Sequence, residues 1–291
     1  MNKRLCNALL LVAVLSALPA AVQAQFYYTV NNGQVMITSY GGPGGAVTIP
    51  STINVGGGVN LPVTAIGSSA FQGWISITNI TIPGSVTSIG YGAFGSCSGL
   101  ASVTIPNSVT NLGDNAFLYC SGLITAGIGN GVTSLGSYTF EYCTGLASAT
   151  LGKNVTSVRD GAFYNCPALT GVYFNGNAPG LGSAVFYGDS KATVYYMPGT
   201  TNWYTPFGER PAVLWNPQAQ ASGPSFGVRT NRFGFRITGS SNLVVVVEAG
   251  TNLAHSTWSV VGTNTLTNGA SYFSDPRWTN YPARFYRLRS P

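Results

Sequence analysis

The segment GSCSG at residues 95–99 is the part of the sequence that most resembles a catalytic motif. It has the form G-x-C-x-G, a cysteine version of the elbow that presents the nucleophile in some hydrolases. A reactive cysteine acts as a thiolate and needs a neighbouring base or positive charge. The one histidine, His255, lies far along the chain in the segment NLAHSTW. A catalytic Cys97 should also be singular, so we asked whether its surroundings recur.

The surroundings of Cys97 recur with a period of 23 residues. The repeated cysteines are Cys97, Cys120, Cys143 and Cys166, and the repeated phenylalanines are Phe71, Phe94, Phe117, Phe140, Phe163 and Phe186. A fixed period of about 20–29 residues with apolar positions L-x-x-[VA]-x-[IL] is typical of a leucine-rich-repeat solenoid. One such coil cannot bury its own apolar side chains. We therefore expect the coils to stack and these two columns to lie in a shared core.

The repeated position favours a structural role for the cysteines as small buried apolar side chains. Disulfides between neighbouring coils are an alternative, because export favours oxidation and stacked coils approach the permitted Cα separation. The side chains should point in parallel, however, which is poor geometry for bridging. Catalysis is not expected, because a nucleophile would not have three equivalents.

The repeat phrase IP-x-SVT-x-IG-x-x-AF-x-x-C-x-x-L resembles the BspA-like leucine-rich repeats of bacterial and protist surface proteins, over roughly residues 45–190. The predicted fold is mainly β with short helical turns. It is a leucine-rich-repeat solenoid of 23-residue coils, followed by a small all-β sandwich-like domain. Within a coil such as residues 100–105, Leu100, Val103 and Ile105 should point inward, while the residues between them point outward.

The N-terminus resembles a secretory signal peptide. Lys3 and Arg4 precede an apolar run, and small residues at 22–24 predict cleavage after Ala24. An uncleaved membrane anchor is the alternative. No later segment is apolar over the length of a transmembrane span. The protein is therefore predicted to be secreted, extracellular or associated with the cell surface.

The predicted division of the chain follows composition and repeats. It comprises a signal peptide (1–24), an N-terminal capping hairpin (25–48), repeats (49–191), a C-terminal cap (192–215), a linker (216–225) and a basic all-β module (226–291). The charge is uneven, because residues 216–291 carry seven arginines against Glu248 and Asp275, a net charge of +5. The phrase VVVVEAGTNL in this module resembles a C-terminal β-module of secreted proteins from environmental bacteria.

The last predicted strand carries Arg284, Arg287 and Arg289 beside two aromatic residues. This basic strand is a candidate contact to an acidic envelope component. The alternative is that arginines on an edge strand maintain solubility and deter strand pairing. Nucleic acid would fit the charge, but secretion argues against it.

The sequence contains few groups that could carry catalysis. It lacks H-E-x-x-H and a glycine-rich phosphate loop that ends in lysine, and charged residues make up only 7% of it. We therefore predict no enzyme activity, no cofactor and no metal site. The enzyme class that the composition excludes least is the glycosidases, which need only two carboxylates.

The leading functional hypothesis is a monomeric binding or adhesion protein that holds a protein or glycan on one flank of the solenoid. The candidate contacts are outward strand residues and aromatic anchors: Asn79, Thr81, Ser102, Thr104, Thr125, Ser148, Thr150, Tyr173, Trp74 and Trp203. One alternative is a structural protein that assembles into a matrix or sheath. Another is an ordered-water ladder of the kind found in ice-binding solenoids, formed by Thr64, Thr87, Thr110, Thr133 and Thr156.

Overall fold

The computed structural model describes residues 25–253 and 257–291. The predicted signal peptide (1–24) and His255 lie outside the described residues. In the solenoid the strands are β1 (Phe26–Asn31), β2 (Gln34–Tyr40), β3 (Gly45–Thr48), β4 (Thr52–Asn54), β5 (Asn60–Ile66), β6 (Ile77–Thr81), β7 (Ser88–Ile89), β8 (Ser102–Ile105), β9 (Asn111–Leu112), β10 (Thr125–Ile128), β11 (Ser134–Leu135), β12 (Ser148–Leu151), β13 (Ser157–Val158), β14 (Gly171–Phe174), β15 (Gly180–Leu181), β16 (Thr193–Tyr196) and β17 (Ala212–Leu214). In the module they are β18 (Gln218–Gln220), β19 (Gly227–Arg229), β20 (Arg232–Thr238), β21 (Val244–Gly250), β22 (Ser259–Thr265), β23 (Ala270–Asp275) and β24 (Phe285–Arg289), with a 3-10 helix at Trp278–Asn280.

Each coil of the solenoid contributes to three walls. One wall is an eight-stranded parallel sheet with the order β3-β6-β8-β10-β12-β14-β16-β17, called the main sheet below. A second wall consists mostly of two-residue strands, β7-β9 and β11-β13-β15 among them. The A-F-x-x-C-x-x-L segments form the third wall as successive turns, in which amide groups also bond to the next coil, as from Phe94 to Ala116. This architecture confirms the predicted fold class.

The phenylalanine column runs through the centre of the solenoid. All six rings are buried, and neighbouring rings lie 5.1–5.6 Å apart between centroids with nearly parallel planes. Each ring therefore fills the space between the rings above and below it. Dispersion and burial of aromatic surface in this column make a large contribution to the stability of the stack.

The cysteine column is buried next to the phenylalanines, and its four thiols are free. Each Sγ donates to the carbonyl oxygen of the phenylalanine in the preceding coil, as from Cys120 to Phe94 at 3.0 Å. Hydrogen bonding with Cys120 and burial raise the pKa of the Cys97 thiol far above its ordinary value. The alternative of inter-coil disulfides is not realised, and Cys97 lacks the low pKa of a nucleophile.

Both ends of the solenoid are covered. At the N-terminal end β1 and β2 form a hairpin whose turn, Asn32-Gly33, has φ angles of 50° and 72°, as a two-residue turn requires. Phe26 and Tyr40 from this hairpin pack on the ring of Phe71. The first coil is longer than the others between Ile49 and Val63, and these extra residues form a second hairpin between β4 and β5.

At the C-terminal end β16 and β17 extend the main sheet beyond the last repeat. Asp189 occupies the place in this region where a further cysteine would continue the column. Its Oδ1 accepts a hydrogen bond from the amide of Cys166 at 2.6 Å, while Oδ2 is buried and has no hydrogen-bond partner among the described residues. Burial raises the pKa of Asp189 to about 7, although the Cys166 amide and Arg210 act in the opposite direction.

Replacing Asp189 by asparagine is expected to stabilise the protein above pH 7. The folded state holds the Asp189 proton more tightly than the unfolded state, whose pKa is near 3.8. The wild type therefore loses stability as the pH rises from about 4 to about 7. Asparagine keeps the Oδ1 acceptor and avoids the buried charge, so at pH 8 it should raise the free energy of unfolding by about 1–3 kcal/mol. Urea denaturation at pH 4 and pH 8 measures this difference, which should nearly vanish at pH 4.

Asp160 provides the matched control for this substitution. Its Oδ1 also accepts a hydrogen bond from an amide of a neighbouring coil, that of Ser183 at 2.7 Å, but its side chain is exposed. Asp160→Asn should change the free energy of unfolding by less than about 0.5 kcal/mol at either pH. A pH-independent effect of Asp189→Asn, or a loss of stability at pH 8, would contradict the assignment.

The C-terminal module is a sandwich of two antiparallel sheets. The first sheet has the order β18-β20-β19 with β23 on β20, and the second has the order β22-β21-β24. Phe235 and Phe273 from the first sheet pack with Val245 and Val247 from the second. Strand β18 (Gln218–Gln220) pairs with β20. Part of the predicted linker is thus a strand of the module.

Candidate functional site

The outward side chains of the main sheet form a polar face. In β8, Val103 and Ile105 are buried while Ser102 and Thr104 are exposed. Outward residues of β6 and β10 are likewise exposed beside buried neighbours. We call the surface formed by these outward residues the outer face. The backbone groups of the interior strands are used in the parallel ladder. The outer face therefore offers a partner only side-chain groups, mainly hydroxyls and amides.

The C-terminal module lies over part of the outer face. Tyr173 and Tyr195 from the main sheet, stacked at 4.9 Å, join Trp215 and the core of the module in one apolar cluster. Trp215 Nε1 donates to the carbonyl of Val244 at 3.4 Å, and Thr150 Oγ1 donates to the carbonyl of Pro291 at 2.9 Å. The solenoid and the module thus share an apolar interface with polar contacts beside it.

The prediction that Tyr173 is an exposed contact is wrong. Its residue surface is only 2% exposed, because the module covers it. The ring lies flat over Gly171, where a Cβ atom would approach the ring at 2.8 Å. The 23-residue pattern correctly placed Tyr173 on the outer face, but it contains no information about what covers that face.

The remaining predicted strand residues divide according to their distance from the module. Asn79, Thr81, Ser102, Thr104 and Thr125 are exposed, whereas Ser148 and Thr150 are half-buried. Thr104, Thr125, Ser148 and Thr150 line a groove of about 880 Å³ between the outer face and the module. The exposed rows at β6 and β8 lead directly into this groove.

The second wall of the groove comes from the module. Val246, Val260 and Thr263 of the second sheet face the hydroxyls of the main sheet, and Met197 and Trp215 also line the groove. Sequence reasoning missed all of these residues. No local signal identifies them, since their role depends on how the two domains pack. The result is a two-walled groove, with hydroxyls of the main sheet on one side and, on the other, aliphatic side chains of the module together with Thr263, Arg289 and Ser290.

The two predicted tryptophan anchors lie near the ends of the solenoid, Trp74 in the first repeat and Trp203 in the C-terminal cap. Trp74 is half-buried and packs edge-on against Tyr40 at 5.1 Å. Trp203 stacks on Tyr196 at 5.1 Å, and its Nε1 donates to Thr200 Oγ1 at 2.9 Å. Both rings pack against the solenoid core, so each presents only part of its surface to a partner.

The arginines of the last strand are paired with buried acids. Arg284 lies 2.6 Å from Asp275, and their side chains are 9% and 2% exposed. Arg287 and Arg289 both hydrogen-bond to Glu248. Burial acts to raise the pKa of Glu248, but Arg289 and Arg287 outweigh it and lower that pKa. Long-range pairing thus offsets much of the charge of these arginines, although the side chains of Arg287 and Arg289 remain 49% and 42% exposed. Their contact to an acidic envelope component stays a prediction.

The threonine ladder uses its hydroxyls internally. Thr87 Oγ1 donates to the carbonyl of Thr64 at 3.2 Å, and Thr156 bonds to Thr133 in the same way at the same distance. Thr110 Oγ1 donates to the carbonyl of Thr87 at 3.4 Å. The donor hydrogens of these three hydroxyls thus join neighbouring coils, which disfavours a ladder that orders water.

A stripe of tyrosines on the turn wall was missed by the sequence analysis. Tyr119, Tyr142, Tyr164 and Tyr187 lie side by side with centroids 5.0, 6.0 and 4.9 Å apart. An aromatic residue close after the core phenylalanine in successive coils was the available signal. Tyr119 stacks on Tyr142 and Tyr164 stacks on Tyr187, whereas Tyr142 and Tyr164 meet edge to face, so the stripe consists of two stacked pairs.

Groups that could carry chemistry do not converge in the part of the chain that the structure describes. There, no three His, Cys, Asp or Glu side chains lie together as metal ligands. No helix within the described ranges has the length and hydropathy of a membrane span. The candidate site consists of hydroxyl, amide and aliphatic groups.

Residues 64–193 match a family model, the BspA type leucine rich repeat region, in six copies. This part of the chain belongs to that family. A search of the curated proteins for relatives of the sequence gave no match. The BspA-type solenoid therefore accounts for about the middle half of the chain, and the module lies outside the matched residues.

The solved structures that are similar to the chain include two bacterial leucine rich repeat proteins. One is a leucine rich cell surface protein of Faecalibacterium prausnitzii, with 28% identity and a TM-score of 0.46, covering 59% of this chain and 53% of that one. The other is the leucine rich repeat protein of T. pallidum, with 29% identity and a TM-score of 0.46, covering 61% and 91%. The chain thus spans about half the length of the first protein.

Proposed function

We propose that the protein is a non-catalytic binding protein, secreted or displayed at the cell surface, that holds an extended protein or glycan on the outer face of its BspA-type solenoid. The observation that carries this proposal is the two-walled groove, into which the exposed rows of the outer face lead. Concave sites with a few convergent polar groups and an apolar wall are the usual form of a binding site.

The proposal that the protein is not catalytic is supported by the burial of its cysteines and the ion pairs of two of its acids. The four repeat cysteines are buried and hydrogen-bonded to backbone carbonyls, so they serve packing. Asp275 and Glu248, the two acids of the module, are occupied by arginines. The two acids of the module are therefore not free to act as the acid and base that a glycosidase requires.

The location rests on the signal-like residues 1–24 and on the repeat family, which fits a repeat protein of the cell surface. A monomeric state rests on the two caps. Phe26 and Tyr40 cover the first phenylalanine of the column, and residues 192–215 close the other end. Because no end coil is left open, growth of a sheath by end-to-end stacking is disfavoured.

The test is binding of the mature chain to a panel of purified polysaccharides and extracellular proteins. Thr125 lies on the outer face and lines the groove, so Thr125→Arg should weaken a saturable interaction by about ten-fold or more. Thr144 is exposed on the turn wall, and Thr144→Arg is the matched control that should leave binding unchanged. A panel without any saturable partner, or equal effects of the two substitutions, would overturn the proposal. Concentration-dependent light scattering would instead support the self-assembling alternative.

A further inference from the structure

The seven arginines of the module fall into two groups. Three of them pair with buried acids: Arg284, Arg287 and Arg289. The other four have no acidic partner among the described residues: Arg229, Arg232, Arg236 and Arg277. Four of the five net positive charges of the module therefore reside in the second group, which the sequence analysis did not single out.

Three of the unpaired arginines share one surface, the outward side of the first sheet. In β20, Phe235 and Ile237 are buried, whereas Arg232 and Arg236 are exposed. Arg229 of β19 lies directly opposite Arg232, so both point to the same side. We call this surface the arginine face. Because a strand rises by about 3.3 Å per residue, Arg232 and Arg236 are separated by about 13 Å along β20.

No acid offsets the charge of the arginine face within the described residues. Asp275, the acid of β23, points to the opposite side of the sheet, where it pairs with Arg284. Glu248 belongs to the second sheet and is occupied by two arginines. Like charges directly opposite each other, as in Arg229 and Arg232, lower the stability of a sheet. An anionic partner would relieve this repulsion.

The side chains around these arginines are polar, and some of them form a shallow pocket. Tyr272 lies opposite Arg236 and over Gly234, where any larger residue would collide with its hydroxyl. Tyr272, Ser274, Arg229 and Arg232 contribute to a shallow pocket of about 320 Å³. Gln220 of β18 pairs with Arg236 and donates its amide hydrogen to Thr238, which leaves its amide oxygen free to accept.

We propose that the arginine face binds an acidic polysaccharide, a sugar polymer that carries carboxylates along its length. Guanidinium groups bind carboxylates through paired, charge-assisted hydrogen bonds. Charges spread over about 13 Å along one strand suit a polymer with repeated charges more than a single anion. The free amide oxygen of Gln220 and the hydroxyls of Tyr272 and Ser274 match sugar hydroxyls, which the backbone of DNA does not offer. This site is separate from the groove and does not depend on the function proposed above.

The test compares polygalacturonate with neutral dextran by fluorescence anisotropy at low and high salt. The full mature chain should bind polygalacturonate, binding should weaken as salt screens the charges, and dextran should not bind. The triple variant Arg229→Gln, Arg232→Gln, Arg236→Gln should weaken binding by about ten-fold or more. The matched control is Lys153→Gln, Arg159→Gln, Lys191→Gln, which removes the same three charges from exposed positions on the solenoid. The control should retain binding within about two-fold.

Several outcomes would overturn the inference. Equal losses in the two triple variants would show that only net charge matters. Tighter binding to double-stranded DNA, or to vesicles that contain anionic lipid, would assign the face to a different partner. If the triple variant unfolds, the polygalacturonate affinity of the single variant Arg232→Gln is measured instead. Removing one of the two opposed charges should not destabilise the sheet. Unchanged affinity of that variant would count against the site. Loss of groove binding through Thr125→Arg with polygalacturonate binding intact would separate the two sites.

Discussion

Replacing Phe117 by alanine is expected to lower the free energy of unfolding by about 3–5 kcal/mol. The ring is fully buried and lies between Phe94 at 5.2 Å and Phe140 at 5.5 Å. Its removal opens a cavity in the middle of the column, and the coils on either side cannot close it, because their backbones are held apart by the inter-coil hydrogen bonds. Urea denaturation followed by circular dichroism measures the loss.

Tyr119 is the matched control, two residues further along the same turn. It is an aromatic residue of similar size, but its residue surface is 50% exposed. Tyr119→Ala should cost less than about 1 kcal/mol, since it removes one exposed stacking contact without leaving a buried cavity. If the two substitutions had similar effects, the column would not be the core of the fold.

Replacing Asp275 by alanine is expected to destabilise the C-terminal module by about 3–5 kcal/mol. Asp275 accepts hydrogen bonds from the Tyr286 hydroxyl at 3.0 Å and from the amide of Arg277 at 2.9 Å, in addition to its ion pair with Arg284. Its loss leaves the Arg284 side chain, which is 9% exposed, without a counter-charge. Hydrogen exchange of the amides in β20, β21 and β23 reports the stability of the module directly.

Two further variants make this result specific. Adding Arg284→Met to Asp275→Ala should recover much of the lost stability, because it removes the unpaired buried charge. Arg159→Ala removes an exposed ion pair with Asp114 at 3.9 Å and should change stability by less than about 0.5 kcal/mol. A double variant no more stable than Asp275→Ala alone would show that the buried charge is not the cause.

The sequence was sufficient to predict the solenoid because each repeated residue has the same neighbours in every coil. The equal spacing of Phe94, Phe117 and Phe140 becomes equal spacing in the column, so the period alone identifies the core. The hairpin at residues 26–40 could be predicted equally well, since the Asn-Gly turn between two apolar runs is a local signal.

The proposed binding surfaces could not be predicted as well from the sequence, because they depend on contacts between distant segments. The pattern placed Tyr173 on the outer face, but the module that buries it begins more than 40 residues later. The net charge of the module could likewise be counted from the sequence, but which arginines pair with acids could not be predicted from it. Only the register of β21 with β24 brings Glu248 to Arg287 and so identifies the arginines that remain unpaired.

The constant offset between coils sets the rule by which such a protein can change length. From β8 to β14 each paired position lies 23 residues from its partner, as Ser102 does from Thr125. A duplication or deletion of one entire coil therefore preserves the environment of every remaining residue, whereas the loss of one residue within a coil does not. Each added coil would move the module about 4.8 Å further from the N-terminal hairpin. The reach of the uncovered surface would then grow in proportion to coil number, with no redesign of either end.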